Sequence, residues 1–296
     1  MRRAQREPRR RPGPHSGSTG MPITRRAALK GVLATVVGAA TGTATYGVAY
    51  ERHHIGVTQA TLDVSGLPAA LEGLRIALIT DVHHSRLVPA DDVTRAVHLA
   101  LAEHPDLVVL GGDYVTFGDR AFVGPVAELL APLHAPHGVF AILGNHDDDK
   151  DMPAALAGKG FTVLKDQRTR VTIRGEAIDI TGIRFWTRRT TDLARVLRNA
   201  GSTVLLLAHD PRRLVEASQL DVPLILSGHT HGGQVVLPGV GAFAKAARFP
   251  ILAGTGSQAN TSIFVSRGIG TVYVPMRFNC PPEVAVVTLR RQSRLA

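Results

Sequence analysis

Five short stretches place Asp, His or Asn directly after an apolar run. Asp81-Val-His83 follows residues 74–79, Gly112-Asp113 follows 107–110, and Gly144-Asn-His-Asp147 follows 139–143. His209-Asp210 follows 203–207, and Gly228-His-Thr-His231 follows 222–226. Short apolar runs of this kind read as buried strands, and in an open α/β sheet ligands collect beyond the carboxyl ends of the strands. Asp, His and Asn bind metals through oxygen and imidazole nitrogen. Asp81, His83, Asp113, Asn145, His209, His229 and His231 are therefore candidate ligands, too many for one zinc ion, which usually takes four. Two ions sharing a carboxylate fit better, since ions about 3.5–4 Å apart can hold a hydroxide and stabilise both oxygens of a displacement at phosphorus. Strand side chains alternate, so Asp81 with His83, and His229 with His231, should each share a face. His84 has the opposite parity and stays outside the set.

Between the runs the apolar spacing is helical, which makes the body an α/β protein. Helices are expected at 89–104, 121–133, 191–199 and 211–220, with a short one ended by Gly158. Two alternating runs within 161–185 turn at Arg174-Gly-Glu176 and read as a hairpin. Strands at 262–266, 271–274 and 283–289 close the chain. Nothing divides residues 51–296, so one domain is expected there.

The 296 residues carry 34 basic and 24 acidic side chains, but the first 30 residues hold nine of the basic ones and one acidic one. The remaining 25 and 23 leave the body near neutral, which argues against a nucleic-acid groove. A single cysteine, Cys280, excludes a disulfide framework and a thiolate cluster. Nitrogen and oxygen donors alone suit Mn, Fe, Zn or Co.

Residues 1–20 are rich in Arg, Pro, Gly and Ser and cannot build a core. They read as a disordered basic leader, or as an upstream extension if Met21 is the true start. Thr24-Arg-Arg precedes an uncharged run over 31–50 and resembles a twin-arginine export signal. The run nearly reaches the ~20 residues that cross a bilayer. Residues 21–50 are thus expected to send the body out of the cytoplasm; cleavage and retention as a membrane anchor both stay open.

The five motifs in this order resemble the calcineurin-like metallophosphoesterase superfamily over about residues 74–290. The closing pieces Val265-Ser-Arg-Gly-Ile-Gly270, Pro275-Met-Arg-Phe-Asn279 and Pro281-Pro-Glu283 resemble its bacterial exported branch, which includes UDP-2,3-diacylglucosamine pyrophosphatase-like proteins. The resemblance implies a four-layer α-β-β-α sandwich of two mixed sheets flanked by helices, with the metal site at the strand C-terminal rim. It implies that Asp81, His83 and His231 hold one divalent ion, Asn145, His209 and His229 the other, and that Asp113 bridges them. His146 would protonate the leaving oxygen and Asp147 would orient its ring. The implied reaction is in-line attack of metal-bridged hydroxide on a phosphomonoester, phosphodiester or pyrophosphate bond, in a substrate that export would make envelope- or lipid-linked. Two alternatives accompany it: a pyrophosphatase acting on a lipid-linked nucleotide sugar, and a non-catalytic metal-binding scaffold. Many relatives carry a second Asp where Thr116 stands, which leaves a supporting role there in doubt. Arg267 and Arg277 are candidates to clamp a phosphate, with a plain surface role equally open.

Overall fold

A computed structural model describes residues 24–242 and 248–292. The readings of residues 1–20 and of Met21 as a start lie outside these residues. The chain divides into two units, one ending at Gly42 and one running from Thr43 to Ala296. In the first, the described residues form the opening turns of helix α1 (Arg25–Ala49), with Leu29, Val32, Leu33, Val36 and Val37 all exposed. A segment spanning Ala28–His53 is long and apolar enough to cross a bilayer, a property that signal sequences and buried core helices share.

The second unit contains the last turn of α1. Gly47 is buried there, and its carbonyl accepts from the Arg277 N–H at 3.1 Å. β1 (Gly56–Val64), β2 (Arg75–Ile79), α2 (Ala90–Ala102), β3 (Leu107–Leu110), α3 (Val123–Leu130), β4 (Val139–Ala141), α4 (Asp151–Ala157) and β5 (Thr162–Val163) follow. Then come the hairpin β6 (Gln167–Ile173) and β7 (Glu176–Gly182), α5 (Thr190–Val196), β8 (Val204–Leu207), α6 (Leu214–Ser218) and β9 (Leu224–Ser227). β10 (Val236–Leu237), β11 (Gly241–Ala242), β12 (Gly254–Gln258), β13 (Thr261–Val265) and β14 (Glu283–Arg291) complete the described elements.

Two six-stranded mixed sheets carry the fold, ordered β1-β14-β2-β3-β4-β5 and β12-β13-β9-β8-β7-β6. In the first, β2 to β5 run parallel and β14 is antiparallel to β2. In the second, β13, β9, β8 and β7 run parallel, with antiparallel edges at β12 and β6. Every residue of β3, β8 and β9 is buried, as expected of parallel strands covered on both faces. Three apolar clusters fill the spaces between layers. One joins the first sheet to α2, α3 and α4, a second lies between the sheets, and a third joins the second sheet to α5 and α6. α2 shows the reason locally: Val93, Ala96, Val97 and Ala100 are buried, the stripe that a 3.6-residue period aligns, and Asp91 and Asp92 sit in its first turn, where the dipole favours acids.

The expected four-layer sandwich and hairpin are present. Thr271 to Val274, expected as a strand, is instead an irregular loop. Tyr273 takes φ 64°, and the Gln234 side chain captures both the Val272 N–H (3.0 Å) and the Val274 carbonyl (2.8 Å). These backbone groups are thereby withdrawn from any strand ladder.

The sheets pack tightly at Gly182. A Cβ there would stand 2.3 Å from Leu164 Cβ and 2.7 Å from Ile142 Cγ2. Gly182→Ala is expected to destabilise the fold by about 1–3 kcal/mol through overpacking, seen as a lower urea midpoint; an unchanged midpoint would refute this contact.

Candidate metal centre

The ends of β2, β3, β4, β8 and β9 deliver all seven expected ligands to one rim. Asp81 and His83 are fully buried, Asp113, His209 and His231 nearly so, and Asn145 and His229 are half-buried. The pairs 81/83 and 229/231 do converge, but not by strand parity, because β2 ends at Ile79 and β9 at Ser227. Left-handed backbone aims them instead: Asp81 (φ 52°), His83 (48°), Asp113 (55°), His229 (72°) and His231 (52°) all lie there. Each such residue costs on the order of 1–3 kcal/mol and persists where its surroundings over-determine it, as at functional sites.

Two triads result, Asp81–His83–His231 and Asp113–His209–His229, each offering donor atoms within 4.8 Å of one another. Asp113 Oδ2 stands 3.1 Å from His209 Nε2 and 3.6 Å from His83 Nε2, between the two groups. His83 Nε2 and His231 Nε2 approach to 3.1 Å, and His231 Nε2 lies 3.4 Å from Asp81 Oδ1. The outer ring nitrogens are held by the scaffold. His209 Nδ1 meets the Gly111 carbonyl at 2.7 Å, and His83 Nδ1 meets the Thr116 hydroxyl at 3.3 Å. The carbonyl, an acceptor only, fixes the His209 tautomer that leaves Nε2 to ligate; Thr116 supplies at His83 the supporting contact that its position left in doubt.

Whether this set suits metal ions can be read from its polar atoms. Asn145 Oδ1 is buried with no hydrogen bond to protein, and His209 Nε2, though 3.1 Å from Asp113 Oδ2, makes no well-directed hydrogen bond; buried polar atoms left so are costly unless another partner takes them. With nitrogen and oxygen donors gathered around both, the residues fit two divalent ions.

The charges agree. Burial raises Asp81 to about 6, reinforced by Asp113 and moderated by His209. Burial would also raise Asp113, but His209, His83 and His146 together outweigh it and hold Asp113 well below the carboxylate range. Burial alone would lower His209, yet the charges of Asp113 and Asp81 carry it up to about 10. Burial lowers His83 to about 4 and His231 well below its ordinary value. The protein alone thus holds an Asp113–His209 ion pair beside two neutral imidazoles.

Around this centre lies a cavity of about 330 Å³, lined in part by Asp113, Asn145, His146, His229 and His231. His146 is buried, its ring 5.0 Å from that of His83, and its Nδ1 accepts from the Phe117 N–H at 3.1 Å. Asp147, expected to steady that ring, spends its carboxylate on backbone: it accepts from Asp113 N (2.7 Å), Tyr114 N (2.7 Å), Gly144 N (2.8 Å) and Val115 N (3.4 Å). It ties the β3 loop to the β4 loop, and burial raises it to about 7.

The two candidate phosphate clamps are occupied elsewhere. Arg277 is fully buried, and its guanidinium donates to the carbonyls of Arg267, Gly268, Gly270 and Cys280. Arg267 pairs with Glu283 and donates to Thr58. His84 is buried on the Val88 carbonyl at 2.9 Å. Missed in the sequence were Phe185 and Phe249, whose rings flank His229 at 5.2 and 5.5 Å. Gly228 was visible, and its reason is now plain: a Cβ there would lie 2.2 Å from Asp81 Oδ2.

Two mixed sheets with a pair of Asp/His triads at their rim define a dinuclear metal hydrolase. The chain belongs to the calcineurin-like phosphoesterase family, whose model matches residues 74–233. It is 31% identical over 280 residues to a Bacillus subtilis (strain 168) protein named uncharacterized metallophosphoesterase YkuE, covering 90% of this chain and 98% of that one. It is 32% identical over 223 residues to the Escherichia coli (strain K12) phosphodiesterase YaeI, covering 73% and 82%. An uncharacterized metallophosphoesterase of Aquifex aeolicus (strain VF5) is 34% identical over 249 residues, 81% and 94% of the two chains. The protein is a metal-dependent phosphoester hydrolase with sites for two divalent ions.

Because His209 is raised to about 10, it holds a proton at pH 7.5 that a metal must displace. Calorimetric titration with Mn in buffers of different ionisation enthalpy should show release of about one proton per centre filled, lost in His209→Gln. Identical heats in all buffers would contradict the charge assignment.

Proposed function

We propose that residues 51–296 form the catalytic domain of an exported phosphodiesterase that uses His146 as proton donor. The observation that carries this reading is the meeting of both triads at Asp113 Oδ2, with His146 on the wall of the same cavity. Asp113 would be shared by the two ions, and Asn145, through its unpartnered Oδ1, would complete the set of His209 and His229. When bound, the ions would lower the pKa of a water so that it attacks phosphorus, and would neutralise charge on the phosphoryl oxygens.

His146 does the rest. Its Nδ1 accepts from Phe117, so the neutral ring carries its proton on Nε2. From there it would donate its proton toward the leaving oxygen, with the proton released by the attacking water making good the ring's loss. The backbone N–H of His146 donates to Asp113 Oδ1 at 2.8 Å, which keeps the general acid in register with the ligand that both ions would share. Asp147 acts as a positioning residue, joining the two loops through backbone amides.

A diester is favoured by the name of the Escherichia coli relative, a phosphodiesterase. Delivery through the twin-arginine machinery is supported by Arg25 and Arg26 at the head of a helix without acidic residues and with the length and apolarity of a bilayer span. An exported phosphodiesterase would meet envelope-linked substrates.

His146→Gln should keep both ions by elemental analysis. Its kcat should fall by about 10²–10⁴-fold on a diester with a poor leaving group, and less on an aryl diester. Wild-type turnover of the poor-leaving-group diester would overturn the proton-donor role.

A further inference from the structure

We infer that the leaving-group side of this site is built to receive an apolar group, gripped by Phe117 and Tyr273. The inference rests on the proposed role of His146, since that residue marks the leaving-group side. Both aromatic residues adopt left-handed backbone, φ 53° at Phe117 and 64° at Tyr273, a conformation that is a genuine outlier for a bulky side chain. Neither is forced into it by burial, as the side chains stand 66% and 67% exposed. Their rings lie 5.6 Å apart, and each meets the His146 ring, Phe117 at 4.9 Å and Tyr273 at 6.2 Å. The strained backbone carries two aromatic rings out of the core and beside the general acid, where they present a grip for a substrate group.

The wall behind them has the same character. Val235, Val272 and Val274 line the cavity with Tyr273. Its polar side chains are already engaged: Gln234 on the backbone of Val272 and Val274, Thr230 on the Leu252 carbonyl at 2.5 Å. Among the described residues lining the cavity none is Lys or Arg, so these residues offer no cation for a second phosphate or a carboxylate. A group esterified to phosphorus through an apolar moiety, either an acyl or prenyl chain or an aromatic ring, matches the surface; a charged or sugar-like leaving group would strand its polar atoms against valine.

The test uses the metal-loaded full chain and a series of alkylphosphonates from methyl to octyl as competitive inhibitors of bis-p-nitrophenyl phosphate hydrolysis. The inhibition constant should fall with every added methylene, by at most about fourfold each. The gain should shrink in Phe117→Asn and Tyr273→Asn and persist in Tyr273→Phe. Asn tolerates left-handed backbone, so these variants are not expected to fail in folding. Constants independent of chain length, or the same slope in the Asn variants, would overturn the inference. Comparing benzylphosphonate with heptylphosphonate, of equal carbon number, separates the sources: tighter binding of the ring assigns aromatic leaving groups, tighter binding of the chain assigns lipid-type ones, and both support an apolar subsite. If the wild type hydrolyses no aryl ester, the proposed reaction fails; calorimetric binding of the same phosphonates still decides the subsite.

Discussion

The Asp113 carboxylate is the point on which the rest of the structure depends. It is buried within reach of His209 on one side and His83 on the other, and an ionised carboxylate in such a place needs compensating positive charge. In the protein alone a proton on His209 supplies part of it. Two divalent cations would supply it fully, and the lone pairs of His83 and His231, kept neutral by burial, are already in the form that ligates. The surrounding fold is arranged to hold this charge still. Asp147 clasps the backbone of the β3 and β4 loops, the His229 N–H donates to both oxygens of Asp81, and the Arg277 guanidinium gathers carbonyls of the loop that closes the cavity.

Much of this was legible from residue types alone. An apolar run followed by Asp, His or Asn, five times in one chain, needs no coordinates to suggest strands converging on a metal site, and the hairpin around Arg174-Gly-Glu176 falls where its alternation put it. The reason for convergence was not legible. Pleat parity does bring the i, i+2 pairs together on paper, but these residues stand beyond the strands and are aimed by left-handed φ, a property that a non-glycine sequence does not advertise. Arg277 misleads for a related reason: a guanidinium near closing loops invites a phosphate, yet here the nearest acceptors are backbone carbonyls that only the folded loop presents.

The loop around Tyr273 shows the same limit from the opposite side. Its alternating Val-Tyr-Val pattern reads as a strand, because β-branched and aromatic residues fit pleated surfaces. Gln234, at the end of the loop that carries His229 and His231, overrides that preference by taking the hydrogen bonds a ladder would need. A local pattern loses to one side chain forty positions away, and the segment becomes part of the cavity wall. The same loop is fastened by Glu51, whose carboxylate accepts from the N–H groups of Asn279 and Cys280, and by Gly47 at the end of α1. The end of α1 and the wall of the metal cavity are therefore neighbours within one unit.

Anomalous diffraction from crystals of the Mn-loaded protein tests the shared-carboxylate centre most directly. Two peaks about 3.5–4 Å apart are expected, one ligated by Asp81, His83 and His231, the other by Asn145, His209 and His229, with Asp113 touching both. A single peak, or two peaks with Asp113 bound to only one of them, would contradict it.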